Sequence, residues 1–484
     1  MAVPNRNVLL AVLISGAFVV ILNQTLLNTA LPAFIEDFQI TENTAQWLTT
    51  VFMLVNAIMI PLTAMLINKF TTRTLFLTAM ILFVIGTVVS GVAPGFSVLI
   101  VGRVLQAAGG GILIPLMQTI LFSIFPIDKR GGAMGTFGLV IALAPAIGPS
   151  LSGWMIDNYH WRYLFFMVLP IAIAATVLSY FLLKNVNRRT DPKVDALSIM
   201  LSSLGFGGLL YGSSIAGAEG WGSPQVVIAL AASAFILLWF IIRQLKLNEP
   251  MLEFRVFKYG MFTLNTALGM CVFIVMVGGM MLLPLYMQTM NGDVPGEGFS
   301  ATKSGLALLP GAVVMGLMSP ITGRLFDRYG ARWLAVGGFT LVSGTTLLYA
   351  TMDSHSSFTF VALVNVGRMF GVAMVMMPVT TAALNQLPPH LIPHGTAMNN
   401  TMRQVAGSIG TAVLITIMTT ATKDPSEYGV DGMVHGSNVA FLVAGILGAF
   451  GIVGSFFIKK FDYGDRAKKL VEDEAEPVTA DVAG

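Results

Sequence analysis

Acidic side chains are scarce in this chain, and none of them falls near the middle of an apolar run. Only 11% of the 484 residues are charged, well below the quarter or so that soluble domains carry, so a soluble protein is excluded. The single cysteine, Cys271, excludes a disulfide framework and a cysteine-built metal site. Five histidines and the loop carboxylates show neither metal-ligand nor nucleophile spacing, so no enzyme is expected. A Walker-type GxxxxGKS or GxxxxGKT loop is missing, and no stretch is polar enough to form an ATP-hydrolysing domain.

Apolar residues fill the space that charge leaves. They make up 55% of the chain, with mean hydropathy +0.79, and they come in runs of about 20 residues, enough to cross a hydrocarbon core as helix. Val8 to Val20 has the length of a signal-peptide core, but no small-residue cleavage site follows, and the run is read as a retained first helix. Hydropathy predicts fourteen spans, near 8–30, 45–68, 74–93, 97–122, 132–156, 163–184, 195–217, 225–246, 260–288, 303–326, 332–351, 358–384, 395–421 and 437–458. Prolines inside them, Pro61, Pro115, Pro145, Pro170, Pro284, Pro310, Pro320 and Pro378, are tolerated where neighbouring helices satisfy the freed carbonyls.

Lysine and arginine orient the spans. One set of connecting segments holds Lys69, Arg73, Lys129, Arg130, Arg188, Arg189, Lys246, Arg255, Lys258, Arg328 and Arg332, and the other holds only Arg162, Lys303 and Lys423. Positive loops stay inside, so both termini are expected in the cytoplasm of a multi-pass cell-membrane protein. The net charge of +3 is then an orientation signal, with no nucleic-acid partner, and the acidic "VEDEAEPVTADVAG" is a solvated end.

The chain also repeats itself. "VGRVLQAAGGGILIP" answers "VGRMFGVAMVMMP", "INKFTTR" answers "FDRYGAR", and "LAPAIG" answers "QVAGSIG". The expected architecture is two parallel six-helix halves, residues 1–184 and 259–458, with two helices inserted at 185–258 and an acidic tail at 459–484.

"LNQTLLNTALP", "GRVLQAAGGGILIP", "APAIGPSLSGW", "WRYLFFMVLP" and "GRLFDRYGAR" together resemble a fourteen-helix member of the major facilitator superfamily, in the drug:proton antiporter group typified by EmrB and QacA. That resemblance implies an all-α integral membrane protein of the major facilitator fold. It implies a secondary exporter of multiple drugs or antibiotics, a small amphiphilic drug-like substrate, and the proton gradient as energy source with no cofactor. A monomer is expected. A narrow exporter of a metabolite or lipid with altered or no proton coupling, and a non-transporting membrane sensor, are the competing readings.

Particular residues carry these expectations. Pro145, Gly148, Pro149 and Gly153 fall in the superfamily's antiporter signature, and glycines there allow a close helix approach, whether at a moving interface or in simple packing. Asp327 and Arg328, with Arg324, resemble a cytoplasmic gate in which the carboxylate pairs with Arg324 or with a helix terminus. In the first-half copy Asn68 and Lys69 take the corresponding places and the loop glycine is missing. Arg103, with Gln106 one turn on, is a guanidinium inside a span and requires partners. Arg368 stands in the second copy. Asn399, Asn400 and Arg403, beside Gln404, form a second polar group, serving transport or interhelical bonding. Met270, Met276, Met280, Met281 and Met287 are either an adaptable wall or core filling.

The helix-one motif departs from its relatives. Asn23 stands where related antiporters have an acid, followed by Thr25 and Asn28, and this variant is similar to lincomycin-resistance exporters. An amide cannot take up a proton as a carboxylate can. Coupling therefore falls to acids near the membrane faces, Glu36, Asp37, Asp157 or Glu219, or to a histidine such as His160. With Asn23, Thr25, Asn28, Arg103, Gln106, Asn399, Asn400 and Arg403 as the expected cavity, neutral, zwitterionic or amphiphilic substrates suit it better than dications.

Overall fold

The computed structural model describes residues 6–27, 30–186, 192, 194–289 and 299–459. These form α1 (Arg6–Leu26), α2 (Leu31–Phe38), α3 (Glu42–Lys69), α4 (Thr72–Gly91), α5 (Phe96–Ile124), α6 (Arg130–Asn158), α7 (Arg162–Leu182), α8 (Ala196–Glu219), α9 (Pro224–Lys246), α10 (Gly260–Thr289), α11 (Ala301–Tyr329), α12 (Ala331–Tyr349), α13 (Phe358–Asn385), α14 (Ile392–Ala421) and α15 (Pro425–Phe456). Short polar side chains start several of them. Thr41, Thr71, Ser300 and Ser357 each accept from a backbone N–H in the first turn of α3, α4, α11 and α13.

Thirteen described helices are long and apolar enough to span a membrane. Of the fourteen spans expected, the one near 332–351 is absent from that set. It is α12, 19 residues long, in which Arg332, Ser343 and several glycines and threonines dilute the apolar content. It still packs in the bundle, where the Ser343 hydroxyl donates to the Gly445 carbonyl at 2.8 Å. The bilayer-facing character of the bundle shows in side chains such as Phe235 and Phe450, both 69% exposed, which water would not tolerate in such numbers.

Three boundaries differ from the hydropathy map. The first helix stops at Leu26, and α2 follows it where a loop was expected, its Phe34 fully buried and edge-on to Trp161 at 4.9 Å. Eight residues with alternating polar and aromatic faces give too short a signal for a hydropathy window. The last helix starts at Pro425, well before 437, and turns at Gly429, whose φ of 56° needs no Cβ. α11 runs on to Tyr329, so Asp327 and Arg328 lie in its final turn.

Helices α1 and α3 to α7 pack among themselves, as do α10 to α15. Two seams join the sets, α6 against α11 and α3 against α14. α8 and α9 form a hairpin whose α8 lies against both α3 and α14. At its start Asp195 pairs with Arg243 at 2.9 Å and accepts from the Ser198 hydroxyl at 2.6 Å. Burial opposes the charge on Asp195, but the Ser198 and Arg243 hydrogen bonds outweigh it and hold the carboxyl below its ordinary range.

Candidate functional site

Arg103, fully buried on α5, gathers three helices. Its Nη1 donates to Asn23 Oδ1 on α1 and to Gln106 Oε1, both at 2.8 Å, and its Nε donates to the Leu48 carbonyl on α3 at 3.3 Å. Gln106 passes the network to α4 through Thr87 Oγ1 at 2.9 Å. The guanidinium lies 4.2 Å over the Phe52 ring. Asn23, Arg103 and Gln106 thus come together as expected. They do so as a closed polar knot, at most 1% exposed, and not as the lining of an open cavity, because each amide oxygen is turned onto the guanidinium. Asn28 lies outside the described residues.

Thr25 faces α6. A Cβ at Gly148 would collide with its side chain, so this glycine permits the α1–α6 contact. Pro145 and Pro149 fall within α6 as well. Gly153 has open space around it and makes no such approach. The other end of α6 meets α11: a Cβ at Gly131 would strike the Gly323 carbonyl, and one at Gly135 would strike that of Ser319. One helix therefore holds two small-residue seams, toward α11 in its first turns and toward α1 in its second half.

The lysine- and arginine-rich end of the bundle is sealed. Asp327 accepts from the Gly131 and Gly132 N–H groups at 2.7 and 2.8 Å, so it caps the α6 N-terminus. Of the two partners expected for it, the helix terminus is the one used; Arg324 and Arg328 are exposed, and Arg328 stacks on Tyr329. Arg130 reaches from α6 to Asn385 on α13 at 2.9 Å. On the other seam Asn68 meets His394 Nε2 at 3.1 Å, and His394 Nδ1 accepts from the Glu253 N–H at 3.3 Å. At the first-half position the contact between the two sets is thus made by an amide and an imidazole. Its lost glycine is not needed there: Gly330 takes φ 81° after α11, whereas Phe70 and Thr71 turn in extended conformation before the Thr71 cap.

Deeper in, Asn400 donates to Gln118 Oε1 at 2.7 Å, which joins α14 to α5 across the two sets. Asn399 donates to Thr266 Oγ1 on α10 at 3.3 Å. Arg368 bonds Asn365 at 3.0 Å and the Val275 carbonyl at 3.2 Å. Arg403 lies 5.0 Å beneath or above the Phe273 ring. Met276 and Met287 are buried in core clusters while Met281 is 52% exposed, which favours packing over a binding wall.

Glu36, Asp37, Asp157 and Glu219 are all exposed, at or near helix ends opposite the basic one. Asp37 alone among them is tied into a cluster, accepting from Trp161 Nε1 at 2.9 Å and lying 3.5 Å from Arg162 and 3.8 Å from His160. Sequence reasoning missed Gln118, His394, Asn385 and the bridging role of Arg130. Each is a single polar letter whose partner lies on a distant helix, so spacing carried no signal for it.

Two helical sets, joined along two seams, sealed at one end and holding buried polar residues between them, define a multi-pass membrane transporter rather than an enzyme. The chain belongs to the Major Facilitator Superfamily, whose profile matches residues 13–411. Among its relatives in Bacillus subtilis, an uncharacterized MFS-type transporter, YcnB, is 52% identical over 94% of this chain and 96% of its own length. The lincomycin resistance protein LmrB of that organism is 40% identical over 94% and 95%. The multidrug export protein EmrB of Escherichia coli K12 is 30% identical over 84% and 78%. The crystal structure of the human organic anion transporter MFSD10 superposes with a TM-score of 0.66 at 13% identity, over 93% of this chain and 100% of that one, and so shares its fold.

Proposed function

We propose that the chain exports small amphiphilic drug-like or antibiotic molecules from the cell by alternating access. The observation that carries this reading is the latch at the basic end, where Asp327, Arg130 and Asn68 join the two helical sets. Rocking about such seams exposes a midplane site to each side in turn. The names of the relatives, a lincomycin resistance protein and a multidrug export protein, agree with this substrate class. In this reading α12 is a fourteenth crossing, residues 1–184 and 259–458 are the rocking halves, 185–258 is an inserted hairpin, and the protein is a monomer in the cell membrane with both termini cytoplasmic.

Coupling to protons belongs to the same proposal. With Asn23 unable to titrate, the carrier is sought among Glu36, Asp37, Asp157 and Glu219, and Asp37 leads because its partners Trp161 and Arg162, at the start of α7, give its charge state a structural consequence. Proteoliposomes test both parts. Lincosamide uptake into vesicles made acidic inside, with matching alkalinisation of the lumen, is expected. Substrate flux indifferent to the gradient sinks the coupling, and no flux of lincosamides or dyes sinks the exporter.

A further inference from the structure

The interior of the bundle holds charge of one sign. Arg103, Arg368 and Arg403 are buried, whereas the carboxylates inside described spans, Asp128, Asp157, Asp327, Glu427 and Asp431, lie within about two turns of a span end. Arg103 and Arg368 have acceptors. Arg403 has none: it makes no hydrogen bond or ion pair to any described residue, and its Nε and Nη1 are buried and unpartnered. It is 6% exposed. A guanidinium left this way is strongly unfavourable in a membrane interior, and an acceptor supplied from outside the chain removes that penalty.

Its position suits a transported ligand. Arg403 lies on α14 one turn from Asn399 and Asn400, and Asn400 bonds Gln118 on α5, so the site borders the interface between the two helical sets. Asn399 Oδ1 is a further buried atom with no partner. The Phe273 ring covers one face of the guanidinium, while Nε and Nη1 in its plane stay without an acceptor. That fork matches an oxyanion bidentately.

We propose that Arg403 is an anion subsite that receives a carboxylate or similar oxyanion group of the exported molecule, with the apolar body of that molecule beside Phe273. The inference rests on the exporter reading for the word "exported" only; binding stands apart from it. Outward movement of an anion is favoured by an inside-negative potential, by about 2.3 kcal/mol per charge per 100 mV.

Two xanthene dyes of similar size and opposite charge test this, carboxyfluorescein and rhodamine 123, on the full-length protein. Binding is read by fluorescence anisotropy in phosphatidylcholine nanodiscs and flux in phosphatidylcholine vesicles. Wild type is expected to bind carboxyfluorescein, and Arg403→Gln to lose at least tenfold in affinity and flux while rhodamine 123 is held and moved at least as well. Loss of carboxyfluorescein binding in the variant with no flux of either dye by wild type keeps the subsite and removes the exporter. No carboxyfluorescein binding by wild type, or equal binding by both proteins, overturns the subsite. Should Arg403→Gln fail to fold by gel filtration, Arg403→Lys carries the test: weaker binding of carboxyfluorescein than wild type supports the fork, and unchanged binding overturns it. Phosphatidylglycerol titrated into the nanodiscs separates the sources of the anion. Its displacement of carboxyfluorescein assigns Arg403 to a lipid headgroup and overturns the proposed role.

Discussion

Arg103 holds partners from α1 and α3 and, through Gln106, reaches α4, so its removal leaves more than a missing charge. In Arg103→Ala the amide oxygens of Asn23 and Gln106 and the Leu48 carbonyl lose their shared donor, and breaking such a buried network destabilises by about 3 kcal/mol. Flux is expected to fall at least tenfold while the protein still reaches the membrane, which fractionation and vesicle transport check together. Wild-type flux would remove Arg103 from the mechanism. The letters of this knot were readable, because a guanidinium inside an apolar run demands acceptors and Gln106 stands one helical turn away. Its closure was not. Asn23 is 80 residues from Arg103, and only the packing of α1 against α5 turns a suspected cavity residue into a buried acceptor. The same limit hid His394, whose partners sit on α3 and before α10.

At the scale of elements, α6 is the part whose role sequence described best and incompletely. Its glycines announced close approach, but not that Gly131 and Gly135 serve α11 while Gly148 serves α1. Gly148→Ala is expected to destabilise by about 1 to 3 kcal/mol through overpacking and to slow flux, and Thr25→Ala in the same chain to recover part of both. Thermal unfolding of the purified pair of variants checks it; no recovery would place the strain elsewhere. The α8–α9 hairpin gives a pH-dependent prediction. The folded carboxyl of Asp195 is held below its unfolded value, so its contribution is present above about pH 4 and is lost as pH falls below that. For a partly exposed pair the effect is about 0.5 to 1 kcal/mol. The Tm difference between wild type and Asp195→Asn should therefore hold steady near neutrality and close on acidification. Helix ends were less legible than helix centres, because α2 and the start of α15 depend on an aromatic contact and a glycine turn that hydropathy does not weigh.

For the molecule as a whole, the seal at the basic end must open and close once per cycle. Gly132 on α6 lies beside the Arg324 side chain on α11, 3.6 Å from a Cβ built at the glycine. Gly132→Cys with Arg324→Cys is expected to form a disulfide under oxidation that stops flux, with reductant restoring it. The native background is favourable, since Cys271, the chain's only cysteine, points its thiol at the Leu447 carbonyl inside the bundle. A cross-linked protein that still transports would mean that this end does not open. The repeat of motifs pointed to two similar halves, but not to the difference between their contacts, one a carboxylate on a helix terminus and the other an amide on an imidazole.

The inserted hairpin gives the bundle a handed outline. α8 stands across the α3–α14 seam, whereas no inserted helix stands across the α6–α11 seam. A molecule dissolved in the lipid leaflet therefore meets an inserted helix on one flank and the bare α6–α11 seam on the other, so exchange with the bilayer is expected to be one-sided.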